Sequence, residues 1–368
     1  MDENEERPII FDNGSGYCRA GFSGEGGPSI FFPTYVGYPK YDKSIIDGDK
    51  KDFYIGAEAQ DKIDILNLSY PIEHGIITNW EDMEKIYDHI FKNDLNVEPT
   101  EHKVLLTEPL MNPKKNREKL AQIMFETFQV PGLSFGIQAL LPIYAAGKFT
   151  AFIINSGEGI TQFAAIYDIY VLSQSTAKIN LSGGDVTNYM FKFLKDNRKN
   201  FSIEEKEIAR DIKEKACYVA LDFEEELKSI KPFDYELPDG NHIIIKDERI
   251  ISTEALFTPS IIGKNGNGIS QTCYDMILKC NNDVKKDLYN SIVLAGGNTL
   301  FNGFPERFSK EMKFLVPEPM KEEVKVISSP ERQVSVWIGA CVLTCLSKFK
   351  SQWIAKKDYE EKGDMVIR

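Results

Sequence analysis

An apolar run, Pro8-Ile9-Ile10-Phe11, leads into Asp12-Asn13-Gly14-Ser15-Gly16 and then into a second strand-like run from Tyr17 to Phe22. Two such runs joined by a Gly-rich turn predict a hairpin. The pattern returns as Ala151-Phe152-Ile153-Ile154, then Asn155-Ser156-Gly157-Glu158-Gly159, then Ile160 through Ile166, which signals an internal duplication. Between the hairpins, Trp80, Met83, Ile86, Tyr87, Ile90 and Phe91 recur at three- and four-residue spacing after Asn79 and predict a helix with one apolar stripe. A strand over 104–106 precedes a second helix, for which Asn112 and Pro113 read as N-cap and first helical residue, with Leu120, Ile123, Met124 and Phe128 facing inward. Further on, Ser202 reads as the cap of a helix that places Ile203, Ile208, Ile212, Cys217 and Val219 near one face. Ile292-Val293-Leu294-Ala295 reads as a buried strand entering the turn Gly296-Gly297-Asn298-Thr299. From Ser335 to Phe349 a helix rich in small residues is expected, in which Gly339, Ala340 and Cys341 permit close approach of a neighbour. Strands interleaved with helices give an α/β class.

At 368 residues the chain exceeds what one core normally serves, so two lobes are expected. A composition 42% hydrophobic and 27% charged supplies enough apolar area for both and excludes the disordered class. The net charge of -12 and the lack of clustered Lys and Arg argue against direct nucleic-acid binding, so any contact with DNA would come through partners. No apolar run approaches the roughly 20 residues of a membrane span, and the acidic opening MDENEER lacks the basic start of a leader, so no membrane insertion is expected. Six cysteines without a CxxC predict reduced thiols, and Cys341 and Cys345 read as core packing rather than metal ligands.

Backbone N–H groups of a tight Gly-rich turn point into its concavity, and two such turns facing one another suit a polyphosphate. Asp12 and Asn155 hold the matching first positions. A carboxylate at Asp12 suits a divalent cation held through water. Either turn alone is an ordinary hairpin; the repeated pair points to a polyphosphate, and the Gly296-Gly297 turn is a third element where bare backbone can lie against a flat ligand or open a helix.

Asp12-Asn13-Gly14-Ser15-Gly16, Tyr70-Pro71-Ile72-Glu73-His74-Gly75, Thr78-Asn79-Trp80 and Leu105-Leu106-Thr107-Glu108 resemble the actin family. So do the runs 123–128, 210–223, 235–240, 254–257 and 335–339. The resemblance covers nearly the whole chain and implies the actin-like ATPase fold, an α/β architecture of duplicated ribonuclease H-like lobes around a nucleotide cleft. The first lobe is expected over 1–145 plus 335–368, with 34–70 as its small outer subdomain, and the second over 146–334, with 182–265 as its outer subdomain. The implied ligands are ATP or ADP with Mg²⁺ or Ca²⁺. By the same resemblance Gly14, Ser15, Gly16 and Arg19 contact phosphates, and Gly157, Glu158 and Gly159 form the opposing loop. Gly183 lies near the ribose, Arg210, Lys213 and Glu214 flank the nucleoside, and Gly297, Asn298 and Phe301 border the adenine. From spacing alone the Arg210, Lys213 and Glu214 group reads as a solvated helix face, a reading that the resemblance reverses.

Where the family carries Asp, Asp, His and Lys, this chain has Asn155, Glu158, Gln162 and Arg19. An amide is no general base near neutral pH, and losing acid–base assistance costs about 10²- to 10⁴-fold in rate. Gln138, the family's water-positioning residue, is retained. Nucleotide binding with weak or no hydrolysis is therefore expected, Arg19 keeping the charge as a planar fork. Two surface segments differ from the family pattern, 41–50 at the subunit-binding loop and 264–267 at a loop tip that helps to join strands, which disfavours an open self-filament. Tyr144, Leu343 and Leu346 remain where the family forms an apolar cleft that accepts a partner helix.

The expected function is that of a subunit or regulator of an actin-type assembly, with actin, other actin-related proteins and actin-binding proteins as partners, in the cytoplasm and cytoskeleton. A polymerising ATPase that forms filaments and a nuclear scaffold of a chromatin-remodelling complex are the alternatives. A sugar kinase shares the duplicated fold but has a distinct sugar-binding Asp motif that this chain lacks.

Overall fold

A computed structural model describes residues 7–40, 51–197, 206–237 and 240–367. The segment 41–50 and the cap Ser202 with its neighbour Ile203 lie outside the described residues. The chain divides into two compact units, Met1–Gly147 with Val334–Arg368, and Lys148–Gln333.

Each unit is built on one mixed sheet, and the two sheets have the same plan. In the first, Ile30–Pro33, Tyr17–Phe22 and Ile9–Asn13 form an antiparallel meander, and Val104–Glu108 and Gly132–Ile137 continue it in parallel with the central strand; Ile354–Ala355 is added at the far edge. In the second, Tyr170–Ile179, Thr161–Tyr167 and Ala151–Ser156 form the meander, and Ile292–Ala295 and Val326–Ile327 run parallel beyond it. The central strands are buried at every position, as expected where helices cover both faces of a parallel pair. The duplication read from two Gly-rich turns is thus a duplication of topology. It also places both turns at the carboxyl ends of parallel strands, where open α/β sheets hold their ligands.

The helix after Asn79 spans Trp80–His89, and the Asn79 side chain accepts from the Asp82 amide at 3.2 Å as its N-cap. Met83, Ile86, Tyr87, Ile90 and Phe91 are buried in the first core, each worth about 1.5–3 kcal/mol of transfer from water. The next helix, Lys114–Gln122, departs from the expected cap: Pro113 is the N-cap residue, and the Asn112 amide instead donates to Glu108 Oε2 at 2.9 Å. Glu108 is a buried carboxylate that also binds Arg117, and satisfying it takes precedence over capping. The helix Lys206–Ala216 stops before Cys217 and Val219, which are buried in the following segment.

The helix Ser335–Cys345 is shorter than the expected 335–349, because Leu346 turns to an extended conformation and a short 3₁₀ segment, Ser347–Gln352, follows. Its glycine is required: a Cβ on Gly339 would stand 1.9 Å from the Leu141 carbonyl oxygen. Cys341 is buried, but Cys345 is exposed and does not belong to the core. Among the described residues no helix is long and apolar enough to cross a membrane.

Candidate functional site

In the first unit, the strand Ile9–Asn13 delivers Asp12 and Asn13 to the turn, and the Gly14 N–H closes it on the Tyr17 carbonyl at 3.0 Å. Ser15 and Gly16 complete the turn, and the Ser15 hydroxyl accepts from the Gly75 amide at 2.9 Å. Asp12 is buried and fully engaged. Arg19, opposite it across the hairpin, reaches Oδ2 at 3.2 Å, and Thr107 donates to Oδ1 at 2.7 Å from the neighbouring parallel strand. Gln138, immediately past the third parallel strand, donates to Thr107 Oγ1 and to the Asn13 carbonyl, both at 3.1 Å. Three strand ends therefore converge on Asp12, Thr107 and Gln138, as the carboxyl ends of a parallel sheet require.

The Arg19 guanidinium lies 5.0 Å from the centroid of the Phe31 ring while holding Asp12. A planar guanidinium stacks on a ring as an ammonium does not, which accounts for Arg at this position. Arg19 is buried, and among the described residues its Nε has no hydrogen-bond partner. A buried donor left unpaired beside a Gly-rich turn suits an anionic oxygen.

In the second unit, the turn between Ala151–Ser156 and Thr161–Tyr167 repeats this geometry. The Gly157 N–H closes on the Ile160 carbonyl at 3.0 Å, and Asn155 faces Gln162 across the hairpin just as Asp12 faces Arg19. Where the first hairpin holds an ion pair, the second holds two buried amides. Asn298 follows the parallel strand Ile292–Ala295 and ties the turn down, donating to Ser156 Oγ at 3.0 Å and to the Gly157 carbonyl at 2.8 Å.

Glu158 is the turn's one carboxylate. Lys213 donates to its Oε2 at 2.9 Å, and Arg210 stands 3.6 Å from its Oε1. Burial pushes the Glu158 carboxyl up, but Lys213 and Arg210 outweigh it and hold the group below its ordinary value, so it stays ionised. Gly183 opens the helix Gly183–Asn197, and its amide and that of Gly184 donate to the Gly157 and Glu158 carbonyls at 2.9 and 2.8 Å. A Cβ on Gly183 would lie 2.5 Å from Asn298 Oδ1 and 2.7 Å from Glu158 Oε2, so only glycine fits.

Arg210 and Lys213 are buried, against the solvated-face reading that spacing alone suggests, while Glu214 on the same helix is exposed. Gly159 is partly buried, Gly297 exposed and Phe301 buried. Tyr144 and Leu343 pack against the cluster of Ile10, Leu105 and Trp337, which Leu346, 44% exposed, does not join. Thr107 and Ser156 escaped the sequence reading as site residues, although a polar pair ending an otherwise apolar strand, Thr107-Glu108 and Asn155-Ser156, was the available signal. Among the described residues no group of three or more His, Cys, Asp and Glu side chains is placed to hold a metal ion.

Two sheets of one plan, each carrying a turn closed by the same hydrogen bond at the end of its central strand, define a two-lobed α/β protein of duplicated ribonuclease H-like lobes. The family model described as Actin matches residues 3–368, essentially the whole chain. The chain belongs to the actin family, whose members typically bind a nucleotide with a divalent cation.

Proposed function

We propose that this actin-family chain binds ATP or ADP with Mg²⁺ or Ca²⁺, hydrolyses it weakly or not at all, and serves as a subunit or regulator of an actin-type assembly in the cytoplasm and cytoskeleton. The observation that carries the reading is the facing pair Asn155 and Gln162, two buried amides where the family has a carboxylate and an imidazole. Neither side chain takes up a proton near neutral pH. Glu158 is no substitute base, because two cations hold it ionised and Lys213 occupies one of its oxygens.

Support for binding comes from the turns. Gly14, Ser15 and Gly16 with Arg19 would hold phosphate in the first unit, and Gly157, Glu158 and Gly159 in the second, with Asp12 holding the cation through water. The cation would supply neutralisation of phosphate charge. Gln138, fixed by the Asn13 carbonyl and by Thr107, would place a water without activating it. Gly183, Arg210, Lys213, Glu214, Gly297, Asn298 and Phe301 would receive the nucleoside.

The 264–267 loop favours a subunit or regulator over a self-polymerising filament. Lys264 pairs with Asp185 at 2.6 Å and donates to the Asn180 carbonyl at 2.6 Å, and Asn267 donates to Asp275 at 2.8 Å, so this polar tip is engaged within its own unit. The test is co-sedimentation of the purified chain with and without actin, read with phosphate release. The proposal expects pelleting only with actin or an actin-related partner; robust pelleting alone with hydrolysis would establish the polymerising ATPase instead.

A further inference from the structure

The last two turns of the Ser335–Cys345 helix carry two thiols, Cys341 and Cys345, one helical turn apart. Of the six cysteines only Cys345 is exposed. Both thiols lean on the same turn of the chain, Ser23-Gly24-Glu25. The Gly24 N–H donates to Cys341 Sγ at 3.1 Å, and the Cys341 thiol lies 3.5 Å from the Glu25 carbonyl. Ser23 Oγ stands 3.6 Å from Cys345 Sγ and 2.7 Å from Thr344 Oγ1. Burial pushes the Cys341 thiol up, and the neighbouring Cys345 adds to the rise. Cys18, Cys217 and Cys273 are buried apart from this pair, and the Cys280 thiol donates to Ser175 in the other unit.

Helical residues four apart place their Cβ atoms about 5–6 Å from one another. A disulfide needs about 3.5–4.5 Å, so joining this pair requires the terminal turn to tighten by about 1–2 Å. Cys345 is the last helical residue and Leu346 is already extended, so only that turn need move. A bond formed against such a displacement stores strain and is readily reduced, the property of a reversible rather than a structural disulfide.

We propose that Cys345 and Cys341 form a peroxide-responsive dithiol, with exposed Cys345 as the thiol attacked first and Cys341 as the resolving thiol. The Cys345 thiolate attacks one oxygen of a hydroperoxide, the O–O bond breaks, and the departing alkoxide or hydroxide takes up a proton. Cys345 becomes a sulfenic acid, oxidised by two electrons as the peroxide is reduced. Cys341 then attacks the Cys345 sulfur, the S–S bond forms, the S–O bond breaks, and hydroxide leaves with the Cys341 proton as water. Closing the bond tightens the turn that carries Leu343, so it changes the apolar cluster that Leu343 and Tyr144 pack against.

The test uses the full chain. Both cysteines lie in the tryptic peptide Gln333 to Lys348, which has no internal basic residue. After hydrogen peroxide treatment and alkylation, this peptide should lose two hydrogens and regain them with dithiothreitol. Because the helix holds the two thiols further apart than a disulfide allows, the bond should be reduced by dithiothreitol at least about tenfold faster in the folded chain than in guanidinium. Cys341→Ser should leave Cys345 as a sulfenic acid that dimedone traps, and Cys345→Ser, an exposed change, should yield neither product. The proposal is overturned if wild-type Cys345 accumulates higher oxides while Cys341 remains alkylatable, or if the disulfide is reduced no faster in the folded chain than in guanidinium.

Discussion

Substituting Gly183 by Ala perturbs the second turn at its tightest point. The added methyl meets Asn298 Oδ1 at 2.5 Å and Glu158 Oε2 at 2.7 Å, so both side chains must retreat. Asn298 then surrenders its bonds to Ser156 and Gly157, a loss of about 1–3 kcal/mol for the two. Alanine returns up to about 1 kcal/mol at the start of the Gly183–Asn197 helix, leaving a net cost of about 1–2 kcal/mol. For a unit the size of Lys148–Gln333 this is a fall in Tm of about 2–8 °C, measured by calorimetry on nucleotide-free protein. Nucleotide affinity should fall as well, since the Glu158–Lys213 pair is displaced. Gly26→Ala, where a Cβ meets nothing within 4 Å, is the control and should stay within about 0.5 kcal/mol. A Gly183→Ala protein with wild-type Tm and wild-type nucleotide affinity would refute the reasoning.

Restoring a carboxylate and an imidazole with Asn155→Asp and Gln162→His together should raise phosphate release by about 10²- to 10⁴-fold, with nucleotide affinity changed far less. Release that does not change would remove the two amides as the cause of slow hydrolysis. Because Lys213 and Arg210 hold Glu158 below its ordinary value of 4.5, its contribution to stability is full above that value and is lost as pH falls through the folded value. Glu158→Gln should therefore lower stability at pH 7 and flatten the acid limb of a denaturation series between about pH 5 and 3; an acid limb identical to wild type would exclude that pairing. Gln138→Ala removes the donor to the Asn13 carbonyl and to Thr107, and should lower any residual phosphate release while leaving nucleotide bound, as read by filter binding.

The sheet plan was legible because its signals are short and repeated. Period and burial marked the strands at Ile9 and Ala151, and the glycine turns marked their ends. Element boundaries were less so: the Ser335 helix stops at Cys345 because tertiary packing at Phe349 favours a 3₁₀ path, and nothing local announces it. Asn112 has the right chemistry for a cap, but a buried carboxylate decides its partner.

 That carboxylate is Glu108, four residues earlier in the chain, and its need for donors once buried with Arg117 is visible only in the folded packing. The same holds at the site. Glu158 is conspicuous in the sequence as a longer carboxylate, yet its pairing with Lys213, 55 residues away, depends on the helix Lys206–Ala216 turning those cations inward. Thr107 was hidden for the opposite reason, as a small polar residue between a run of apolar strand residues and the conspicuous Glu108.

The most direct measurement of the central claim takes freshly purified protein, extracts and identifies its bound nucleotide, and then follows phosphate release in a single turnover with ATP and Mg²⁺ beside conventional actin. The account predicts bound ATP or ADP and release slower than that of actin by about 10²-fold or more. A chain that carries no nucleotide, or one that releases phosphate at the rate of actin, would contradict it.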